Sequence, residues 1–194
     1  MGQPIIKRCA WVPDDVLYQS YHDKEWGVPV YDDRVLFEFL ILEGAQAGLS
    51  WQTILKKREN YRRLFDHFNA EKIAAYDEKR IQQLLNDPGI VRNRLKIRGT
   101  VHNARAFLQI KEKYGSFSGY IWAFVAGNPL VNHREKLSEI PPKTDISDLM
   151  SRSLKKDGFT FVGSTICYAF MQAVGMVNDH TTDCFRYHEI TGHK

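Results

Sequence analysis

Hydrophobic residues recur along this chain with the period of a helix and almost nowhere with the period of a strand. From Val35 to about Ala47, the residues Leu36, Phe39, Leu40 and Ala47 define one apolar face, and Ile41 and Leu42 carry the apolar surface round most of the segment. Asp32-Asp33 can cap it and Gly48 can end it. Ser50 then caps a second helix in which Trp51, Ile54, Leu55, Tyr61, Leu64 and Phe65 alternate with Lys, Arg and Glu at helical spacing. Asn69 and Asp77 are caps for two short helices, the second carrying Ile81, Leu84 and Leu85. Asp87-Pro88-Gly89 is a turn signal. A long helix follows, with Ile97, Val101, Ala104 and Leu108 on one face and Gly115 at its end. Tyr120 to Val125 reads as a short apolar helix stopped by Gly127-Asn128-Pro129, and the polar stretch through Pro141-Pro142 as a long loop. Ser147 to Lys156 and Ser164 to Val174 are the last two helices, ended by Gly158 and Gly175. Phe159 to Val162 is the only strand-like run, too short to build a sheet. The expected fold class is all-α.

The 194 residues suit a single unit, and with 43% hydrophobic and 26% charged residues the chain has the balance of a folded soluble protein. No apolar run is long enough to span a membrane, and Met1 to Asp15 contains neither a signal-peptide core nor a myristoylation site. Three cysteines make no disulfide framework. A cytoplasmic protein with reduced thiols is expected. The net charge of +4 is modest, but its distribution is uneven. Between Pro88 and Arg134 the only acid is Glu112, and that span holds Arg92, Arg94, Lys96 and Arg98; Lys56, Lys57, Arg58, Arg62 and Arg63 form a second basic group. Either could be a solvated helix face or a surface for a polyanion.

Three groups of residues stand out chemically. Glu43 lies on the apolar face of the helix after Asp33, where a carboxylate is costly unless it is paired, caps a helix or performs a function. Trp11, Trp26 and Trp51, three of the four tryptophans, fall in the N-terminal quarter with Tyr18, Tyr21 and Tyr31. They could be core packing, or with Glu43 a stacking pocket for a planar cation. Cys9 and His22, with His180 and Cys184 at H-x3-C spacing, could supply a tetrahedral Cys2His2 site, which with four protein ligands would be closed and structural; otherwise they are unliganded core groups. Cys167, amid Ile166, Phe170 and Met171, reads as a buried thiol. The turn at Gly89, backed by the Arg92 to Arg98 cluster, resembles a helix-hairpin-helix element, which holds a DNA strand through its phosphates. The second glycine usual in that hairpin is replaced here at about Arg92.

Five stretches carry a wider resemblance. Cys9 to Trp11, Tyr21 to Pro29, Leu42 to Trp51, Phe161 to Tyr168 and Asn178 to His180 resemble the bacterial 3-methyladenine DNA glycosylase I (Tag) family, over about Arg8 to Cys184. The resemblance implies a helical helix-hairpin-helix glycosylase, with a helical core over 27–163, the hairpin near 81–98, and a small zinc-binding part made from 1–26 plus 164–194. It implies Cys9, His22, His180 and Cys184 as ligands of one structural Zn2+. It places Glu43, Trp51 and Tyr21 at the damaged base, with Trp11, Tyr18 and Trp26 lining or supporting the pocket. Gly48-Leu49 would enter the duplex, and Gly89, Arg92, Arg94 and Lys96 would hold the strand. The expected partners are alkylated double-stranded DNA and the 3-methyladenine base, with the protein acting as a monomer without membrane. The expected reaction is hydrolysis of the N-glycosidic bond, leaving an abasic site, with no lyase step. No Asp lies between Asp87 and Asp145, where many helix-hairpin-helix glycosylases carry a catalytic one, and no Lys stands in an obvious nucleophile position. Two other classes compete. A zinc hydrolase would need an open metal position, and zinc deaminases would pair H-x-E with P-C-x-x-C, the second of which is absent. A DNA-binding module without catalysis would have no need of Glu43 and Trp51.

Overall fold

The computed structural model describes residues 6–191, and within them the chain is helical apart from loops and one two-stranded ribbon. In order the helices are α1 (Val16–Lys24), α2 (Asp33–Gln46), α3 (Trp51–Leu64), α4 (Ala70–Ala74), α5 (Glu78–Asn86), α6 (Arg94–Tyr114), α7 (Phe117–Trp122), α8 (Asp145–Lys156), α9 (Ser164–Ala173) and α10 (Phe185–Thr191). The predicted caps form: side chains of Asp32, Ser50, Asn69 and Asp77 accept from the backbone N–H three residues on. Two starts differ from expectation, and two helices were not expected. Ser116 caps α7, so that helix begins at Phe117 and breaks into a 3-10 turn at Ala123–Val125; Thr144 caps α8, which begins at Asp145, two residues before Ser147; and α1 and α10 carried no apolar period to reveal them.

α2 is the centre of the molecule. Every residue from Leu36 to Ala45 is buried, and α3, α6, α7 and α9 pack around it. Two of these buried residues are acids with opposite fates. Glu38 accepts from Arg58 Nε at 2.6 Å and from Arg62 NH2 at 2.7 Å, so it is paired and satisfied. Glu43 has no hydrogen bond or ion pair with any described residue.

The long polar loop after Gly127 is tied down by a ribbon that alternation could not reveal, because each strand is two residues long. Leu130–Val131 (β1) pairs in parallel with Val177–Asn178 (β2), in the register Leu130 to Val177 and Val131 to Asn178. This pairing holds the loop beside α9 and leads it to the site below. No described helix is long and apolar enough to cross a membrane.

Candidate active site and metal centre

A cavity of about 290 Å3 opens where α1, the C-terminal half of α2, the start of α3 and α9 meet. Its aromatic lining comes from Trp11, Tyr18, Tyr21, Trp26 and Trp51. Asp15 begins α1 by accepting from Tyr18 N–H at 2.9 Å, and its other oxygen accepts from Gln52 Nε2, which joins the first turns of α1 and α3. Tyr21 and Trp51 are thereby brought together, ring centroids 5.3 Å apart and tilted by 47°. Trp11 meets Trp26 edge-on at 4.9 Å and Tyr18 at 5.7 Å. Tyr31, grouped with these by sequence, lies elsewhere and stacks on Trp122 at 4.5 Å.

Glu43 lines this cavity at 5% exposure. With no counter-ion to offset desolvation, burial pushes its carboxyl up to about 8. Tyr21 lies close enough that burial, and then the Glu43 charge, raise its phenol well above the ordinary value. Trp51 Nε1 is buried without a hydrogen-bond partner among the described residues. A carboxyl with no partner among the described residues, set among aromatic faces, suits a flat ring that carries positive charge and an N–H donor, which would favour its ionised form. A second cavity, about 190 Å3, shares Glu43, Gln46 and Ala169 and is edged by Gly48 and Leu49. Gly48 has φ +78 with open space about it, so glycine is there for backbone conformation. It presents Leu49, 42% exposed, at the surface.

The sequence did not point to Leu137, Ile140, Gln46, Ala169 or Gln172, which also line the main cavity. Leu137 and Ile140 arrive on the loop anchored by β1. Gln172 did offer a signal of the same kind as Glu43: a lone amide between Met171 and Val174 in an otherwise apolar helix.

Behind the aromatic wall, Cys9, His22, His180 and Cys184 are all buried, with one ligand atom of each within 4.8 Å of the others. Cys184 Sγ lies 3.5 Å from both His22 Nε2 and His180 Nδ1, and Cys9 Sγ 3.5 Å from His180 Nδ1. These spacings match the edges of a tetrahedron about a small dication. The remaining ring nitrogens are already engaged: His22 Nδ1 with Asp23 Oδ1 at 2.8 Å, and His180 Nε2 donating to the Trp26 carbonyl at 3.0 Å. Each imidazole therefore turns its other ring nitrogen to the cluster. Interaction between the two thiols raises Cys9 and lowers Cys184, and a cation among the four groups would favour the thiolate of each. The donor set fits a metal ion. Trp26 belongs to both places: its ring lies 4.6 Å from that of His180, and the residue lines the cavity.

At the hairpin between α5 and α6, Gly89 packs against α3: a Cβ there would meet Asn60 Cγ at 2.9 Å. Lys57 Nζ donates to Pro88 O at 2.7 Å, and Tyr61 Oη accepts from Val91 N–H at 3.2 Å. Arg92 is exposed beyond the turn and has no partner among the described residues. Arg94 and Arg98 both bind the exposed Glu78. Lys96 Nζ donates to Ala45 O at 2.8 Å and Ala47 O at 2.6 Å, closing the C-terminus of α2 just before Gly48. Cys167 is a buried thiol that donates to Val162 O.

The chain is thus a helical body with an aromatic cavity, an acid in its wall that is unpaired among the described residues, and a hairpin flanked by basic residues. Comparison with known proteins gives this a family. The profile of the family described as methyladenine glycosylase matches residues 11–187, and the chain belongs to that family. It is 52% identical to DNA-3-methyladenine glycosylase 1 of Escherichia coli K12 over 182 residues, covering 94% of this chain and 97% of that one. A crystal structure of a 3-methyladenine DNA glycosylase I superposes with a TM-score of 0.91 at 52% identity, covering 92% of this chain and 98% of the other. A tyrosine-to-phenylalanine variant of another 3-methyladenine DNA glycosylase I, in complex with 3-methyladenine, superposes with a TM-score of 0.89 at 39% identity, covering 92% and 96%.

Proposed function

We propose that this chain is a DNA repair hydrolase that excises 3-methyladenine from alkylated double-stranded DNA, leaving an abasic site, without lyase activity. The observation that carries the reading is the unpartnered, buried Glu43 in an aromatic cavity of a chain from this family. Methylation at N3 makes the adenine cationic and weakens its bond to C1′. When that bond breaks, its electrons stay with the base, which leaves neutral, and water adds at C1′. The enzyme needs no strong nucleophile; it must hold the extruded base and favour the cation. Extruding a nucleotide takes a few kcal/mol, less for a damaged pair.

In this reading Trp51 and Tyr21 stack on the base, and Glu43 accepts from its exocyclic amine. Trp11, Tyr18 and Trp26 shape the wall. Gly48 and Leu49 enter the duplex beside the lesion. The hairpin at Gly89 acts as a helix-hairpin-helix grip, with Arg92 and Arg94 on phosphates. Lys96, engaged with the α2 carbonyls, serves the grip mainly by fixing the Gly48 turn, and any phosphate contact it makes shares those bonds. Cys9, His22, His180 and Cys184 would hold one Zn2+, whose chemistry with four protein ligands is structural. The chain works as one monomeric, cytoplasmic unit: a core over 27–163 closed by 1–26 and 164–194, of which 1–5 and 192–194 lie outside the described residues.

The test is incubation with methylated DNA in the presence of EDTA, followed by chromatography of released bases. Free 3-methyladenine, with intact abasic strands and no dependence on added metal, is expected. Strand cleavage with a Schiff-base adduct, or no base released at all, would overturn the reading.

A further inference from the structure

The polar groups of the cavity raise a question that the family resemblance leaves open: how an adenine is told from a guanine carrying the same methyl group. The two purines differ at C6, where adenine bears an amine donor and guanine a keto acceptor. Glu43 alone discriminates poorly. With its carboxyl pushed up to about 8, it can donate as an acid or accept as a carboxylate, and so can meet either group.

Gln172 has no such freedom. Its Nε2 donates to Asp179 Oδ2 at 2.8 Å. Asp179 is fully buried, and the rest of its hydrogen bonding is taken by Tyr168 Oη at 2.6 Å and Asn132 Nδ2 at 2.7 Å, with Arg134 Nε 3.8 Å away. Reversing the Gln172 amide would set its oxygen against a carboxylate and strand a buried acceptor. The amide oxygen is therefore left over on a side chain that lines the cavity, with no partner among the described residues. We infer that Gln172, locked by Asp179 with its amide oxygen as the free atom, is a specificity-determining acceptor that selects a 6-amino over a 6-keto methylpurine. Asp179 is the positioning residue. This assignment rests on the glycosylase reading above and adds the basis of its base selectivity.

The test is single-turnover release of 3-methyladenine and 3-methylguanine from the same methylated DNA by the intact protein and two variants. Gln172→Met keeps the volume and removes the acceptor; the preference for 3-methyladenine should fall about ten-fold, through slower adenine release. Asp179→Asn permits the Gln172 amide to reverse and offer its N–H2; release of 3-methylguanine relative to 3-methyladenine should rise. A structural role would slow both bases alike, and that result, or an unchanged preference, overturns the inference. Should either variant fail to fold, the unaltered protein still decides. Its tryptophan fluorescence should report free 3-methyladenine binding at least ten-fold tighter than free 3-methylhypoxanthine, which bears the keto group, and equal binding refutes the acceptor. If the unaltered protein releases neither base, the glycosylase reading itself fails. If it releases 3-methyladenine and the variants keep its preference, only the assignment of Gln172 fails.

Discussion

Replacing Glu43 with Gln should make this protein more stable and less active at once. Burial without a partner moves the carboxyl from 4.5 to about 8. Between these values the unfolded chain has released its proton while the folded chain keeps it. The contribution of Glu43 is therefore most favourable below about pH 4.5, declines as pH rises, and is fully unfavourable above about 8. At pH 7, the 2.5 units above 4.5 correspond to about 3 kcal/mol at most, and less because the acid borders a cavity rather than solid core. Glu43→Gln, which mimics the protonated acid, should therefore raise stability at pH 7 by about 1–3 kcal/mol, or about 2–10 °C in Tm for a domain of this size. Activity should move the other way. A charge-assisted hydrogen bond is roughly twice as strong as a neutral one, so excision should slow by about ten- to a hundred-fold without vanishing, since the methylated base is already primed to leave. The two effects separate by pH. The kcat/KM of the unaltered enzyme should rise toward pH 9 with a midpoint near 8, and that rise should be missing in Glu43→Gln. Thermal melts and single-turnover assays from pH 6 to 9 measure both. If Glu43→Gln were no more stable at pH 8 and kept the same pH profile, the unpaired-acid account would be wrong. If it abolished excision while free-base binding survived, Glu43 would be a base or nucleophile instead.

Trp51→Ala should weaken binding of free 3-methyladenine by about 1–3 kcal/mol in a fluorescence titration while leaving affinity for undamaged duplex unchanged; equal weakening of both would place Trp51 outside the pocket's function. Arg92→Ala should lower the salt slope of duplex binding by about one unit for damaged and undamaged DNA alike. Arg94→Ala should do less, because Glu78 already holds that side chain, and a loss confined to damaged DNA would contradict a backbone role. Cys184→Ser should reduce the bound metal, expected at one zinc per chain, lower Tm, and shift tryptophan emission because Trp26 abuts His180; metal analysis of a fully active preparation that contained none would remove the metal assignment.

Much of this molecule could be read from its residues, and what could not had specific causes. The helices with an apolar stripe and a side-chain cap, α2, α3 and α5, appear within a residue or two of where spacing put them, and α6 ends at Gly115 as expected. α1 escaped because its residues Val16 to Lys24 carry no clear apolar period: its buried face is Tyr21 and His22, one in the cavity and one in the metal cluster, so function occupies the positions that core residues would fill. The ribbon escaped because two-residue strands have no alternation to detect. Glu43 was legible as an acid in an apolar helix, whereas Glu38 went unremarked although it sits in the same helix; only the fold reveals that Arg58 and Arg62 reach one and not the other. Among the basic residues, sequence treated Arg92, Arg94 and Lys96 alike. Their partners are set by tertiary contacts and differ in all three.

The metal cluster also bears on the order in which the protein becomes competent. His22 and Cys184 are 162 positions apart. During synthesis nearly the whole body emerges before Cys184 does, and the four-residue cluster cannot assemble until then. Two walls of the base cavity, Trp11 and Trp26, rest against the rings of His22 and His180, so the cavity takes its final shape at that same late moment. For an enzyme whose product is a hole in the genetic text, this is a useful delay. Fragments released early from the ribosome would carry the hairpin yet lack Cys184, and with it the closed cluster on which the Trp11 and Trp26 walls rest.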